Sequence, residues 1–101
     1  MVALPGIAIY ETAKAGIEGM TRALARDLGT NGIRDTCVVP GGVRTPWQIA
    51  LWHDAEAEAA MLAQQCLKAR IDPPHVGALV LFLVSDAAAM CTAHGYMVDA
   101  R

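Results

Sequence analysis

The stretch that decides the reading is Ile9-Tyr10-Glu11-Thr12-Ala13-Lys14-Ala15-Gly16-Ile17-Glu18-Gly19-Met20-Thr21-Arg22-Ala23-Leu24-Ala25-Arg26-Asp27-Leu28. Ile17, Met20, Leu24 and Leu28 recur at three- and four-residue intervals and form one apolar stripe, the mark of an amphipathic helix. Ala13, Ala15, Ala23 and Ala25 add helix propensity. Gly29 and Asn31-Gly32 supply the stop. On such a helix Tyr10 and Lys14, spaced i and i+4, share a face, and their tips can approach one point. A free phenol titrates near 10 and is a poor base at neutral pH. An adjacent ammonium favours the phenolate and suits the pair to proton transfer at an alcohol or carbonyl oxygen. Taken alone, the spacing equally describes a surface pair on a helix.

Downstream, Ile33 to Val39 is a short β-prone run closed by Pro40-Gly41-Gly42, and its apolar continuity fits a buried parallel strand. Asp35 is the misfit, since a carboxylate in such a strand needs a partner or an exposed position. Gly41 to Trp47 reads as a loop. Asp54 to Ala69 reads as a second helix with Asp54 at its N-cap and Met61, Leu62, Gln65 and Cys66 on one side. After a break at Arg70 to Pro74, with Pro74 in the first turn, a third helix is expected from His75 to Ser85. It is apolar nearly all round and is expected to be buried. Asp86 to Ala93 is irregular, and Gly95 to Asp99 makes a last strand. The order helix-strand-helix-helix-strand implies an α/β fold with a parallel sheet and helical crossovers. Two strands make a poor sheet, so the chain asks for strands it does not contain.

The 101 residues carry a net charge of −2, with 54% hydrophobic and 18% charged residues. That excludes disorder and gives no footprint for nucleic acid or an anionic membrane. The length allows one domain, and the apolar surplus suggests surface that meets another part of a protein. Cys37, Cys66 and Cys91 lack CxxC spacing and read as buried free thiols in a reducing compartment. His53, His75 and His94 lack metal-ligand spacing. Pro40-Gly41-Gly42 is no P-loop, because no Gly-Lys-Ser/Thr follows. Glu56 and Glu58 are expected to be solvated, and Met20, Met61, Met90 and Met97 to fill core or interface. Val76 to Val84 is too short to span a bilayer, and Met1 to Gly6 has no signal-peptide pattern, so a cytoplasmic protein is expected.

Several motifs stand in series: Tyr10-x-x-x-Lys14 followed by Ala15-Gly16, Thr21-Arg22-Ala23-Leu24-Ala25, Gly32-Ile33-Arg34, Pro40-Gly41-x-x-x-Thr45, Leu81-Phe82-Leu83-Val84-Ser85-Asp86, Cys91-Thr92 and Val98-Asp99. This series resembles the C-terminal portion of short-chain dehydrogenases/reductases over nearly the whole chain. Tyr10 to Arg26, Thr36 to Gly41, Ala63-Gln64-Gln65-Cys66-Leu67-Lys68 and Ala78 to Leu83 are similar to the bacterial NAD-dependent D-xylose 1-dehydrogenases.

The resemblance implies the C-terminal part of a Rossmann-type doubly wound parallel sheet, incomplete here, with residues 1–101 as one portion of a single domain. It implies that Tyr10 takes the hydroxyl proton as hydride leaves for nicotinamide, and that Lys14 binds the nicotinamide ribose. Pro40 and Gly41 would lie beside the nicotinamide ring, with the Val43 backbone and the Thr45 side chain holding its carboxamide. Trp47 to about Gln65 would form the variable lid, where Trp47, Gln48 or Trp52 would meet a sugar or else simply pack. The substrate would be a sugar or other secondary alcohol, and the cofactor NAD or NADP. Relatives are commonly homotetramers, with the first helix in one interface and the third helix and last strand in another. The family's glycine-rich turn, its catalytic Ser and its proton-relay Asn precede the Tyr by more than the nine residues present here. The chain alone is therefore expected to be inactive, and association with intact relatives is the alternative role. An unrelated small α-rich binding module is the remaining one. Three local departures from the family stand out: Asp35 replaces an apolar residue, and Ala93 and Ala100 replace Gly.

Overall fold

A computed structural model describes residues 7–46 and 55–101. It contains helix α1 (Ala8–Gly29), strand β1 (Cys37–Pro40), helix α2 (Ala55–Gln64), helix α3 (Pro73–Leu83), a 3₁₀ turn (Asp86–Ala88) and strand β2 (Gly95–Val98). The chain divides into two compact units. One gathers the chain up to Cys37 with Ala89–Tyr96, the other Val38–Ala88 with Met97–Arg101. β1 and β2 pair in a two-stranded sheet. The Cys37 amide donates to His94 O (3.2 Å) and the Gly41 amide to Val98 O (2.9 Å). Both partners advance by four residues in the same direction, which makes the ladder parallel.

In the first unit, α1 follows its expected bounds closely, because its pattern is local. Thr12 and Thr21 return their hydroxyls to the carbonyls of Ala8 (2.7 Å) and Ile17 (2.8 Å), one turn back. Thr21 and Ala25 are its buried positions. The first strand is shorter than expected, since Ile33 to Thr36 takes no part in the ladder. Asp35 shows why. Its amide donates to Thr92 Oγ1 (3.0 Å), and its carbonyl accepts from the Ala93 amide (2.8 Å), so its backbone is tied to that distant segment outside the β1–β2 ladder. Nor is β1 buried as expected: it is half-buried, with Pro40 exposed.

In the second unit, α2 ends at Gln64, five residues before the expected Ala69. The amides of Cys66 and Leu67 turn away to the carbonyl of Ala100 (2.8 and 3.0 Å). The Lys68 ammonium caps the freed carbonyls of Leu62 (3.2 Å) and Ala63 (3.0 Å), and that of Gln65 as well. A cation on C-terminal carbonyls also meets the negative end of the helix dipole. Asp54, the expected N-cap, lies outside the described residues. Glu58 is not merely solvated; it pairs with Arg70, whose Nη2 donates to Oε2 at 2.8 Å.

Helix α3 starts two residues earlier than expected, at a capping box. The Asp72 side chain receives the His75 amide, and the Asp72 amide donates to His75 Nδ1 at 2.9 Å. Proline in the first turn gives up no bond there. The expected burial of α3 is not met. Leu83 is its buried residue, while Leu81 is 70% exposed and Val84, just past its end, 71%. An all-apolar helix needs cover on every side, and two strands supply little. Of the methionines expected to fill core or interface, Met20, Met90 and Met97 are exposed in the single chain and so lie outside its core. The thiols differ too: Cys66 is exposed, and Cys37 and Cys91 are half-buried.

Candidate functional site

Tyr10 and Lys14 lie in the first two turns of α1, where the helix repeat stacks i over i+4. The Lys14 ammonium sits over the Tyr10 ring, 5.4 Å from its centroid, within range of a cation–π contact. Tyr10 is 58% exposed, so its hydroxyl is open to a ligand. Among the described residues Lys14 has no carboxylate partner. The pair is thus a phenol and an ammonium held together on an accessible helix end.

The second unit holds the other expected site residues. Pro40 ends β1, and Gly41 to Thr45 follows as a loop. Val43 forms an isolated parallel bridge with Ile71. The Arg44 amide donates to Ile71 O (2.7 Å), and the Thr45 amide to Val43 O (3.0 Å). A Cβ on Gly41 would come within 3.0 Å of Asp99 and 3.2 Å of Ile71 Cδ1, so a side chain here would crowd both neighbours. The loop is therefore a built turn, clamped against Ile71 and Asp99. Trp47, Gln48 and Trp52 lie outside the described residues.

Sequence reasoning missed a groove in the first unit. It has a volume of about 500 Å³ and is lined by Arg22, Ala25, Arg26 and the run Thr92 to Gly95. Its lining begins at Arg22, about 18 Å along the helix from Tyr10 at 1.5 Å per residue. Arg22 and Arg26 stand one helical turn apart, and the run Thr92 to Gly95 that closes the groove comes from far along the chain. Nearby, the Tyr96 hydroxyl is held above its usual titration range. The main cause is its hydrogen bond to the Cys91 thiol, with partial burial and the Cys91 charge adding and Arg34 opposing. Among the described residues no three His, Cys, Asp or Glu side chains gather as a metal site, and no helix is long and apolar enough to cross a membrane.

A family model described as "Enoyl-(Acyl carrier protein) reductase" matches residues 1–100. The D-xylose 1-dehydrogenase of Caulobacter vibrioides is 61% identical over 97 residues, covering 96% of this chain and 39% of that protein. "Probable galactose dehydrogenase GalD" of Rhizobium meliloti is 41% identical over 96 residues, covering 95% of this chain and 38% of that protein. A solved short chain dehydrogenase/reductase family protein superposes with a TM-score of 0.86 at 33% identity, over 98% of this chain and 39% of its own. A 4-hydroxyisoleucine dehydrogenase complexed with NADH shares the fold, with a TM-score of 0.92 at 24% identity, over 98% and 41%. The chain spans about two fifths of the length of the curated relatives it matches. With the paired Tyr10 and Lys14, the parallel β1–β2 ladder and these matches together, the chain belongs to the short-chain dehydrogenase/reductase family and is close in sequence to D-xylose 1-dehydrogenase.

Proposed function

We propose that this chain is the C-terminal part of an enzyme that oxidises the anomeric hydroxyl of an aldose to a lactone. The convergence of Lys14 on Tyr10 carries the reading, and the sugar dehydrogenases among its relatives give the substrate class. The Tyr10 phenolate accepts the O–H proton of the sugar. The C–H bond at the same carbon breaks with both its electrons, and a carbonyl forms. NAD, or NADP, supplies the hydride acceptor when bound. The Lys14 ammonium, held over the Tyr10 ring, would donate to a ribose hydroxyl. The exposed phenol and ammonium fit the nicotinamide end of such a dinucleotide, which presents hydroxyls and a carboxamide to hydrogen-bond. Pro40 and Gly41 would lie beside its ring, and the backbone of Val43 with the hydroxyl of Thr45 would hold its carboxamide. In the lid, Trp47, Gln48 or Trp52 would meet the sugar.

The family's phosphate-binding turn and substrate-orienting Ser precede the tyrosine, so the 101 residues by themselves do not turn over. Proximity of alcohol and acceptor supplies much of such a rate, and it requires both halves. The enzyme works in the cytoplasm, where its free thiols stay reduced, and it assembles as a homotetramer through α1 and through α3 with β2. A second reading, a non-catalytic chain that associates with intact relatives, draws on the exposed Leu81 and Val84.

The test joins this chain to the upstream half of the Caulobacter relative and assays D-xylose, other aldoses and simple secondary alcohols with NAD and NADP. Dinucleotide reduction by the joined protein, with none from the chain alone, supports the reading. A joined protein that folds and reduces neither dinucleotide with any of these alcohols rejects it. Co-purification of the chain with the intact relative, without activity of its own, marks the second reading.

A further inference from the structure

Gln65 has no place in the chemistry above, yet it is 3% exposed and is one of two buried polar side chains among the described residues. Its amide nitrogen donates to Leu67 O (2.8 Å) and to Ala69 O (2.7 Å), so it forms the inside of the turn that follows α2. Its Oε1 is buried without a partner among the described residues. A buried acceptor left unpaired is costly, and an apolar side chain of similar size would avoid it. What glutamine provides here is its pair of N–H donors.

The turn those donors shape leads directly to the loop assigned to the nicotinamide. Ala100 O ties the start of the turn through the amides of Cys66 and Leu67. Its end is Ile71, 4% exposed, which bridges Val43, accepts the Arg44 amide and packs its Cδ1 where a Gly41 side chain would stand. The run from Gln65 to Ile71 is thus a strap, fastened at one end by a buried amide and at the other by the backbone of the loop. We propose that Gln65 is a positioning residue, and that its two hydrogen bonds set the register of Ile71 and through it the placement of Gly41 to Thr45. In consequence it governs how well the nicotinamide carboxamide is held. This last step rests on the function proposed above; the mechanical step does not.

Hydrogen exchange at the Arg44 amide, which donates to Ile71, reads the mechanical step in the 101-residue chain and in the joined protein. Gln65→Leu keeps bulk and removes both donors; exchange at Arg44 should quicken about tenfold, the order expected for losing roughly one net hydrogen bond of local stability. Amides of α1 should be unchanged. Gln65→Glu guards against a variant that simply fails to fold. Ionised, it offers no donor to the two carbonyls; protonated, it offers one. Protection at Arg44, corrected for intrinsic rate, should therefore return as the pH falls through the carboxylate range, which a space-filling role would not produce. In the joined protein KM for the dinucleotide should rise about tenfold, with kcat changed less. Unchanged Arg44 protection in both variants overturns the proposal. Altered protection with unchanged KM overturns its link to the cofactor and leaves the strap standing. A joined wild-type protein that folds but uses no dinucleotide rejects the function, while the exchange result still decides the strap.

Discussion

Gly41 and Asp99 pack so closely that a Cβ on Gly41 would sit 3.0 Å from both Cα and Cβ of Asp99. The Gly41 amide is also bonded to Val98 O at 2.9 Å, so the loop cannot back away without breaking the sheet. Gly41→Ala should destabilise the protein by about 1–3 kcal/mol, the usual cost of overpacking. Denaturant midpoints measure it. A variant as stable as the parent would show that the loop does not rest on Asp99.

Tyr10→Phe removes the hydroxyl and leaves the ring beneath Lys14. In the joined protein turnover should fall about 10²–10⁴-fold, the range of a positioned acid or base. Dinucleotide affinity, measured by fluorescence titration, should change little. Retention of more than a tenth of the activity would exclude proton transfer by Tyr10.

Two alanines adopt left-handed backbone, Ala93 at φ 67° and Ala100 at φ 59°. A Cβ there costs about 1–2 kcal/mol, and glycine removes that cost while adding freedom to the unfolded chain. Each stays because it carries a distant bond: the Ala93 amide goes to Asp35 O, and Ala100 O receives Cys66 and Leu67. Ala93→Gly and Ala100→Gly should each stabilise by about 0.5–1 kcal/mol net. A fall in the unfolding midpoint of either would contradict the geometry.

Tyr96 should titrate above the ordinary phenol value of 10.0, chiefly because of its side-chain hydrogen bond with Cys91. A raised folded-state value means that the protonated form is favoured by folding. This contribution to stability is complete below pH 10.0 and is lost as the pH climbs through the folded-state titration. The chain has two tyrosines, so a Tyr10→Phe background leaves Tyr96 as the single tyrosinate signal near 295 nm, a standard absorbance probe. Adding Cys91→Ala should lower its midpoint; an unmoved midpoint would rule out the thiol as the cause.

Helix α1 with its Tyr10 and Lys14, the order of elements and the parallel strand pair were all legible in the residues. The α1 pattern spans six turns, and the strand pair is bracketed by Gly and Pro, so both signals are local. The His75 role was not legible: a histidine three residues after Asp72 looks like any surface histidine until the amide of Asp72 is seen to donate to it. The Glu58–Arg70 pair was hidden in the same way, because its members stand 12 residues apart across a turn of unknown course. The apolar face of α3 was read correctly as apolar and wrongly as covered, since composition reports a need for cover and not its presence.

The amino-acid order by itself determined what depends on near neighbours: where α1 runs, that a phenol and an amine share one of its faces, and that Pro40-Gly41 closes a strand. Helical periodicity and backbone restriction act within a few residues, so the chain carries them wherever it folds. Only the tertiary structure decided where α2 stops, why a side chain at Gly41 would crowd its neighbours, and that Gln65 is sealed inside a turn. Each of those depends on a partner brought from far along the chain: Ala100 for the amides of Cys66 and Leu67, Asp99 for Gly41, Ile71 for Val43. A hydrogen bond or a steric contact between distant residues has no periodic trace in sequence, and it exists only once the backbone has brought the two together.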